Sequence, residues 1–182
     1  MKLKKATEKA SLRKIENLYT QAFPIEERKN FSLLLKKQEQ GVLEILAVES
    51  SDHEFLGLAI TITCDDMTLL DYFAISPKLR GRGMGTEAFH LIKERYQNQK
   101  FILEIENPNI DAPNRMQRFK RKQFYLRNGM NHIPFLVKIA GVEMEVLTPE
   151  PGLSFENYRR IYDMAYKPEI TREVILLELY EI

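Results

Sequence analysis

Residues 69–92, LLDYFAISPKLRGRGMGTEAFHLI, constrain the fold more than any other stretch of this chain. An apolar run suited to a strand ends at Ser76-Pro77. Two arginines and three glycines, with Met84 among them, then fill residues 80–85. A helical pattern follows over about 83–98, with Ala88, Leu91, Ile92 and Tyr96 among its apolar positions. A helix start carries unpaired backbone N–H groups and a partial positive charge, and both attract an anion. Glycines let backbone approach closely and turn where a side chain would forbid it. Arg80 and Arg82 add charge that ordinary pH does not remove. Arg80, Gly81, Arg82, Gly83, Met84, Gly85 and Thr86 therefore read as a nest for a diphosphate. The competing reading is a tight strand-to-helix turn with exposed arginines.

Phosphate loops come in several kinds. The Walker A pattern requires a Gly-Lys-Ser/Thr sequence that is missing here. A Rossmann variant matches better, since Gly83-Met84-Gly85-Thr86-Glu87-Ala88 fits G-x-G-x-x-A and Glu104 follows at about the expected distance. Against it, SPKLRGR separates the glycines from the strand, and two hairpin-like strands come first.

Those strands read as VLEILAVE (42–49) and FLGLAITIT (55–63), with TLLDYFAI (68–75) as the third. Their short turns imply antiparallel neighbours. Upstream, Leu12, Ile15, Tyr19 and Ala22 predict a helix over 7–22, stopped at Phe23-Pro24. A second helix is expected from about 25 to 40, with Gly41 as its stop. Downstream come a strand (101–106), a helix from a capping box at Asn114 and Gln117 to about Asn128, and a stop at Gly129. Residues 132–148 predict two strands around Gly141, and FENYRRIYDMAY (155–166) predicts a helix. The final run, TREVILLELYEI, follows neither period cleanly.

Two motifs carry a family resemblance. Arg80-Gly81-Arg82-Gly83-Met84-Gly85 after FAISPKL resembles the R-G-x-G-x-G acyl-CoA loop of the GNAT N-acetyltransferase superfamily. KRKQFYLRNGM (120–130) resembles that superfamily's RR-x-x-FY-x-x-x-GF segment, with Arg121, Phe124, Tyr125 and Gly129 in register and Met130 in place of the usual Phe. The resemblance spans about residues 5–148. It implies one α/β (α+β) acetyltransferase domain over 1–182, with a mixed, mostly antiparallel sheet flanked by helices and an extension over 149–182.

It also implies acetyl transfer from acetyl-CoA directly to a primary amine, without a metal. The loop backbone from Arg82 to Thr86 would take the pyrophosphate. The main chain of Phe73, Ala74 and Ile75 would pair with the pantetheine arm, and Tyr125 would be the general acid. A packed aromatic beside Phe124 is the alternative for Tyr125. Glu104 is the candidate base; Glu104 and Glu106 share a strand face. Glu27 (or Glu26), Asp71 and Glu106 are candidates to meet the amine, although solvated carboxylates are common at such places. Many members carry Asn seven residues before the tyrosine, where this chain has Arg118. Two other readings stay open: an NAD(P)-binding Rossmann-like module, and a CoA-binding protein without catalysis.

Composition narrows the partners. A net charge of +1 in 182 residues gives no reason to expect nucleic-acid binding. The stretch Arg115, Arg118, Lys120, Arg121, Lys122, Arg127 reads as a solvated helix face. One cysteine, Cys64, excludes an internal disulfide framework, and the three histidines lack metal-ligand spacing. Apolar stretches are too short for a membrane span, and residues 1–10 lack an export signal. The expectation is a cytoplasmic protein, away from membranes, with a small-molecule or peptide amine as partner and a possible homodimer.

Overall fold

The computed structural model describes residues 1–25, 27–166 and 174–179. They form two compact units, Met1–Gln99 and Lys100–Ile182. The fold is mixed α/β, with antiparallel pairing throughout each unit.

The first unit contains β1 (Lys2–Lys5), α1 (Lys9–Ala22), α2 (Phe31–Glu39), β2 (Leu43–Glu49), β3 (Phe55–Cys64), β4 (Met67–Ile75) and α3 (Met84–Arg95). Its strands run β1-β2-β3-β4, each antiparallel to the next. That arrangement is not the parallel, doubly wound sheet of a Rossmann module. Strands β2, β3 and β4 were legible from their apolar runs. β1 was not. It is four residues of KLKK, read from the sequence only as lacking an export signal, and it forms through pairing of Leu3 with Val48.

Helix α1 buries Ile15, Leu18 and Tyr19, at the spacing that puts side chains on one face. Phe23 leaves it in an extended conformation, as the following proline requires. The second helix starts at Phe31, six residues later than the pattern suggested. Asn30 caps it, its Oδ1 accepting from the Ser32 N–H at 2.9 Å. Gly41 ends it with φ +75.

The second unit contains β5 (Lys100–Glu106), α4 (Arg115–Arg127), β6 (Asn131–Ile139), β7 (Val142–Thr148), α5 (Phe155–Tyr166) and β8 (Ile175–Leu179). Its strands run β5-β7-β6-β8. The expected capping box at Asn114 does not form. The Asn114 amide instead donates to Glu106 Oε1 at 3.1 Å, and its oxygen accepts from Arg118 Nε at 2.8 Å. Gly129 closes the helix with φ +81, and the Met130 N–H returns to the Tyr125 carbonyl. Phe155, Tyr158, Tyr162 and Tyr166 form a ladder of neighbouring rings along α5, with Phe135 of β6 touching the first two. Among the described residues, no helix is long and apolar enough to cross a membrane.

Candidate active site

In the first unit, the candidate residues lie along β4 and just beyond it. β3 and β4 pair regularly from Gly57↔Ile75 to Ile60↔Tyr72, and then the register jumps to Thr61↔Leu70. Asp71 is the extra residue, a β-bulge in β4. Its side chain is 3% exposed and meets Lys29 Nζ at 2.7 Å. Tyr72 ties the same segment down: its hydroxyl donates to the Glu27 carbonyl at 2.8 Å and accepts the Lys29 N–H at 3.1 Å. Tyr19 O–H donates to the Lys29 carbonyl, and burial pushes its pKa well up. Lys29 also sits over the Tyr72 ring. Residues 27–30 are thus pinned to β4 at its bulge. Glu27 is half-buried there, and Glu26 lies outside the described residues.

Beyond Ile75 the chain makes a 3-10 turn over Pro77–Leu79 and enters the glycine loop. Arg80 Nε donates to the Ile75 carbonyl at 3.2 Å, so this arginine braces the end of β4. Gly81 and Gly83 have φ +77 and +79, backbone that side chains rarely adopt. A Cβ on either would meet nothing within 4 Å, so the space beside the loop is open. Residues 80–83 are exposed, Met84 and Gly85 half-buried, and Thr86 exposed. Gly83 is the N-cap of α3 and supplies no side chain to it. The Glu87 N–H reaches back to the Gly83 carbonyl. The amides of Met84, Gly85 and Thr86 come before that bond, at the helix end where intrahelical acceptors are missing. Open space, left-handed glycines and an end without a side-chain cap fit a diphosphate well. Beneath the loop, Ile75, Ala88 and Val48 pack with Phe73, Leu79 and Met84, which holds strand end and helix start together.

In the second unit, Tyr125 lies in the last turn of α4 and is buried. Burial pushes its pKa up to about 12, against a smaller opposing pull from Arg121. Its ring stands edge-on to Phe124, 5.1 Å away. Glu104 accepts from Tyr158 O–H at 2.6 Å and from Tyr162 O–H at 2.8 Å. Glu106, 1% exposed, meets Arg118 Nε at 2.8 Å and Arg121 at 2.5 Å. The position where many relatives place Asn is therefore occupied by a side chain engaged in an internal ion pair.

The basic stretch is not simply a solvated face: Arg118 and Arg121 serve Glu106, and Lys122 serves Glu145. Lys29, Tyr72, Tyr158 and Tyr162 were not singled out in the sequence. For the tyrosines of α5, a signal existed in the four-residue spacing of 158, 162 and 166. For Lys29 none did. Among the described residues, no group of three or more His, Cys, Asp or Glu side chains converges as metal ligands do.

In the first unit a left-handed glycine loop follows a strand and opens a helix, and in the second a buried tyrosine sits in the last turn of an arginine-rich helix. The chain matches the Acetyltransferase (GNAT) family over residues 12–125, and it belongs to that family. Its fold is similar to that of a GNAT-family acetyltransferase from Bacteroides thetaiotaomicron, at TM-score 0.72 and 18% identity, covering 91% of this chain and 98% of that one. A histone acetyltransferase HPA2-related protein from Corynebacterium glutamicum aligns at TM-score 0.61 and 17% identity, covering 85% and 98%. The spermidine N-acetyltransferase of Vibrio cholerae, solved with CoA and spermine, aligns at TM-score 0.61 and 15% identity, covering 80% and 92%. No curated protein sequence matches the chain.

Proposed function

We propose that this enzyme transfers an acetyl group from acetyl-CoA to the nitrogen of a primary amine. The observation that carries the reading is the exposed loop at residues 80–86, with two left-handed glycines and open space beside them. The amides from Arg82 to Thr86 would hold the pyrophosphate, with the helix end and Arg82 supplying positive potential. Arg80 would act mainly by bracing the strand, given its bond to the Ile75 carbonyl. The main chain of Phe73, Ala74 and Ile75 would pair with the pantetheine arm, and a backbone N–H there would polarise the thioester carbonyl.

Tyr125 would donate its proton, or a strong hydrogen bond, to the departing thiolate. A phenol whose pKa lies near 12 stays protonated at every working pH, which suits a donor. Glu104 would take the proton of the attacking ammonium, with Tyr158 and Tyr162 fixing its oxygens. Asp71 and Glu106 already face cations of the chain, so Glu27 is the carboxylate assigned to the acceptor. A cytoplasmic location and a small-molecule or peptide acceptor complete the reading. The Vibrio cholerae relative's polyamine ligand makes polyamines the first acceptors to try.

A thiol-release assay over a panel of primary amines tests it. Tyr125→Phe is expected to lower turnover on the order of a hundredfold or more while leaving the KM for acetyl-CoA unchanged. Turnover equal to the parent's would remove Tyr125 from the mechanism. Gly83→Val is expected to abolish stabilisation by CoA in a thermal shift, with NAD giving none in either protein.

A further inference from the structure

The second unit holds a cleft that the transferase reading does not use. β6 and β7 part between His132↔Leu147 and Leu136↔Glu145, so three residues of β6 stand against one of β7. Pro134 lies in that excess and has no N–H to give a ladder. The irregularity borders a cleft of about 410 Å³, within the range of small-molecule sites. Asn107, Lys122, His132, Pro134, Phe135 and Glu145 are among its lining residues.

Glu145 is the unusual member. Its side chain is 9% exposed, and Oε1 accepts from Lys122 Nζ at 2.9 Å. Oε2 is buried without a hydrogen-bond partner, and His132 Nδ1 is 3.5 Å from it. Partial burial and the nearby Lys122 lower the pKa of His132, against the pull of Glu145, which favours the neutral ring. In that form it adds no second positive charge. The same unit shows the satisfied counterpart: Glu106 gives one oxygen to Arg118 and the other to Arg121. Glu145 has the buried carboxylate and one cation, with an unpartnered oxygen in place of the second pairing.

We propose that this cleft seats a small primary amine, whose ammonium donates to Glu145 Oε2 while its apolar body lies against Pro134 and Phe135. An ammonium brings three donors, and a charge-assisted hydrogen bond is what Oε2 lacks. An anion would meet the unpartnered carboxylate oxygen and be repelled. A metal ion would find one carboxylate and one imidazole, fewer ligands than a structural or catalytic site uses. The seat lies wholly in the second unit and does not rest on the loop at 80–86.

Calorimetric titration of the full chain with benzylamine, in the absence of any acyl carrier, tests the seat and leaves the transferase reading untouched. Saturable binding is expected, with benzyl alcohol at least about tenfold weaker. Glu145→Gln is expected to weaken benzylamine by about tenfold or more. Leu136→Trp, which fills the cleft and keeps the carboxylate, is expected to abolish binding. Amide shifts on titration should cluster at residues 132–136 and 145. Equal affinity for amine and alcohol, or parental affinity in Glu145→Gln, overturns the proposal. If Glu145→Gln does not fold, Leu136→Trp decides: parental affinity there overturns the proposal as well. So does an absence of saturation up to about 10 mM.

Discussion

Gly57 offers a sharp test of how the strand under the loop is built. A Cβ placed on it would lie 2.5 Å from the Ala74 carbonyl oxygen, 2.9 Å from Ile75 Cδ1 and 3.2 Å from Ile75 Cα. Ordinary contact begins at 3.4 Å, so Gly57→Ala asks the Ala74 carbonyl to retreat by 3.4 − 2.5 = 0.9 Å. That atom belongs to backbone. The nearest partner cannot swing aside as a side chain would, and β3 and β4 must separate where Gly57 pairs with Ile75. Overpacking of this kind costs about 1–3 kcal/mol. In a chain of this size, each kcal/mol lowers Tm by about 2–4 °C, so the drop should be roughly 2–12 °C by differential scanning fluorimetry. The displaced segment is also the one assigned to the pantetheine arm, and acetyl-CoA should bind more weakly in the variant. An unchanged Tm would show that the strands absorb the methyl group. Lowered Tm with parental acetyl-CoA affinity would separate residues 73–75 from the carrier.

Glu106→Gln should lower stability by about 3 kcal/mol, because Arg118 and Arg121 lose a buried counter-charge; the exposure of Arg121 at 35% keeps the loss at the lower end for such pairs. Chemical denaturation measures it, and a loss under 1 kcal/mol would place the pair in solvent. Tyr125 makes an alkaline prediction. Its folded-state pKa is raised from 10 to about 12, so its contribution is complete below pH 10 and is lost as pH rises from 10 through 12. Two units correspond to about 3 kcal/mol. Tyr125→Phe should therefore flatten the fall in Tm over that window, and identical profiles would mean that the phenol is solvated.

Regular elements were legible where period and punctuation agreed. β2, β3 and β4 announced themselves as apolar runs between turn residues, and Gly41 and Gly129 stop their helices with positive φ. Failures came where a distant partner decided the outcome. KLKK is a strand because β2 offers an edge, which no local pattern reports. Asn114 has the spacing of a capping box, but a buried Glu106 eight residues upstream takes its amide. The glycine loop was legible as a site because its chemistry is local: backbone, glycine and charge in one short run. The carboxylates were harder to assign. Sequence places Asp71, Glu104 and Glu106 on strands, and alternation puts the last two on one face. Their roles depend on what approaches from elsewhere in the chain: Lys29 for Asp71, tyrosines for Glu104, arginines for Glu106.

The first unit hangs two loops on one strand. Residues 27–30 are held at the bulge of β4 by Tyr72, by Tyr19 and by the Lys29–Asp71 pair, while residues 80–86 leave the strand's far end, braced by Arg80 on Ile75. About four residues of strand separate Asp71 from Ile75, a span of roughly 13 Å at strand rise. A change at the bulge is therefore remote from the glycine loop, yet it acts on the segment that carries Glu27. Asp71→Asn removes the charge partner of a lysine whose side chain is only 11% exposed and loosens the first loop while leaving the second intact. The expected kinetic signature is a rise in the acceptor KM of about three- to tenfold, with the acetyl-CoA KM unchanged. Equal shifts in both constants would mean that β4 transmits the disturbance along its length. The two loops would then form one mechanical unit, and the separation of acceptor recognition from carrier binding would fail.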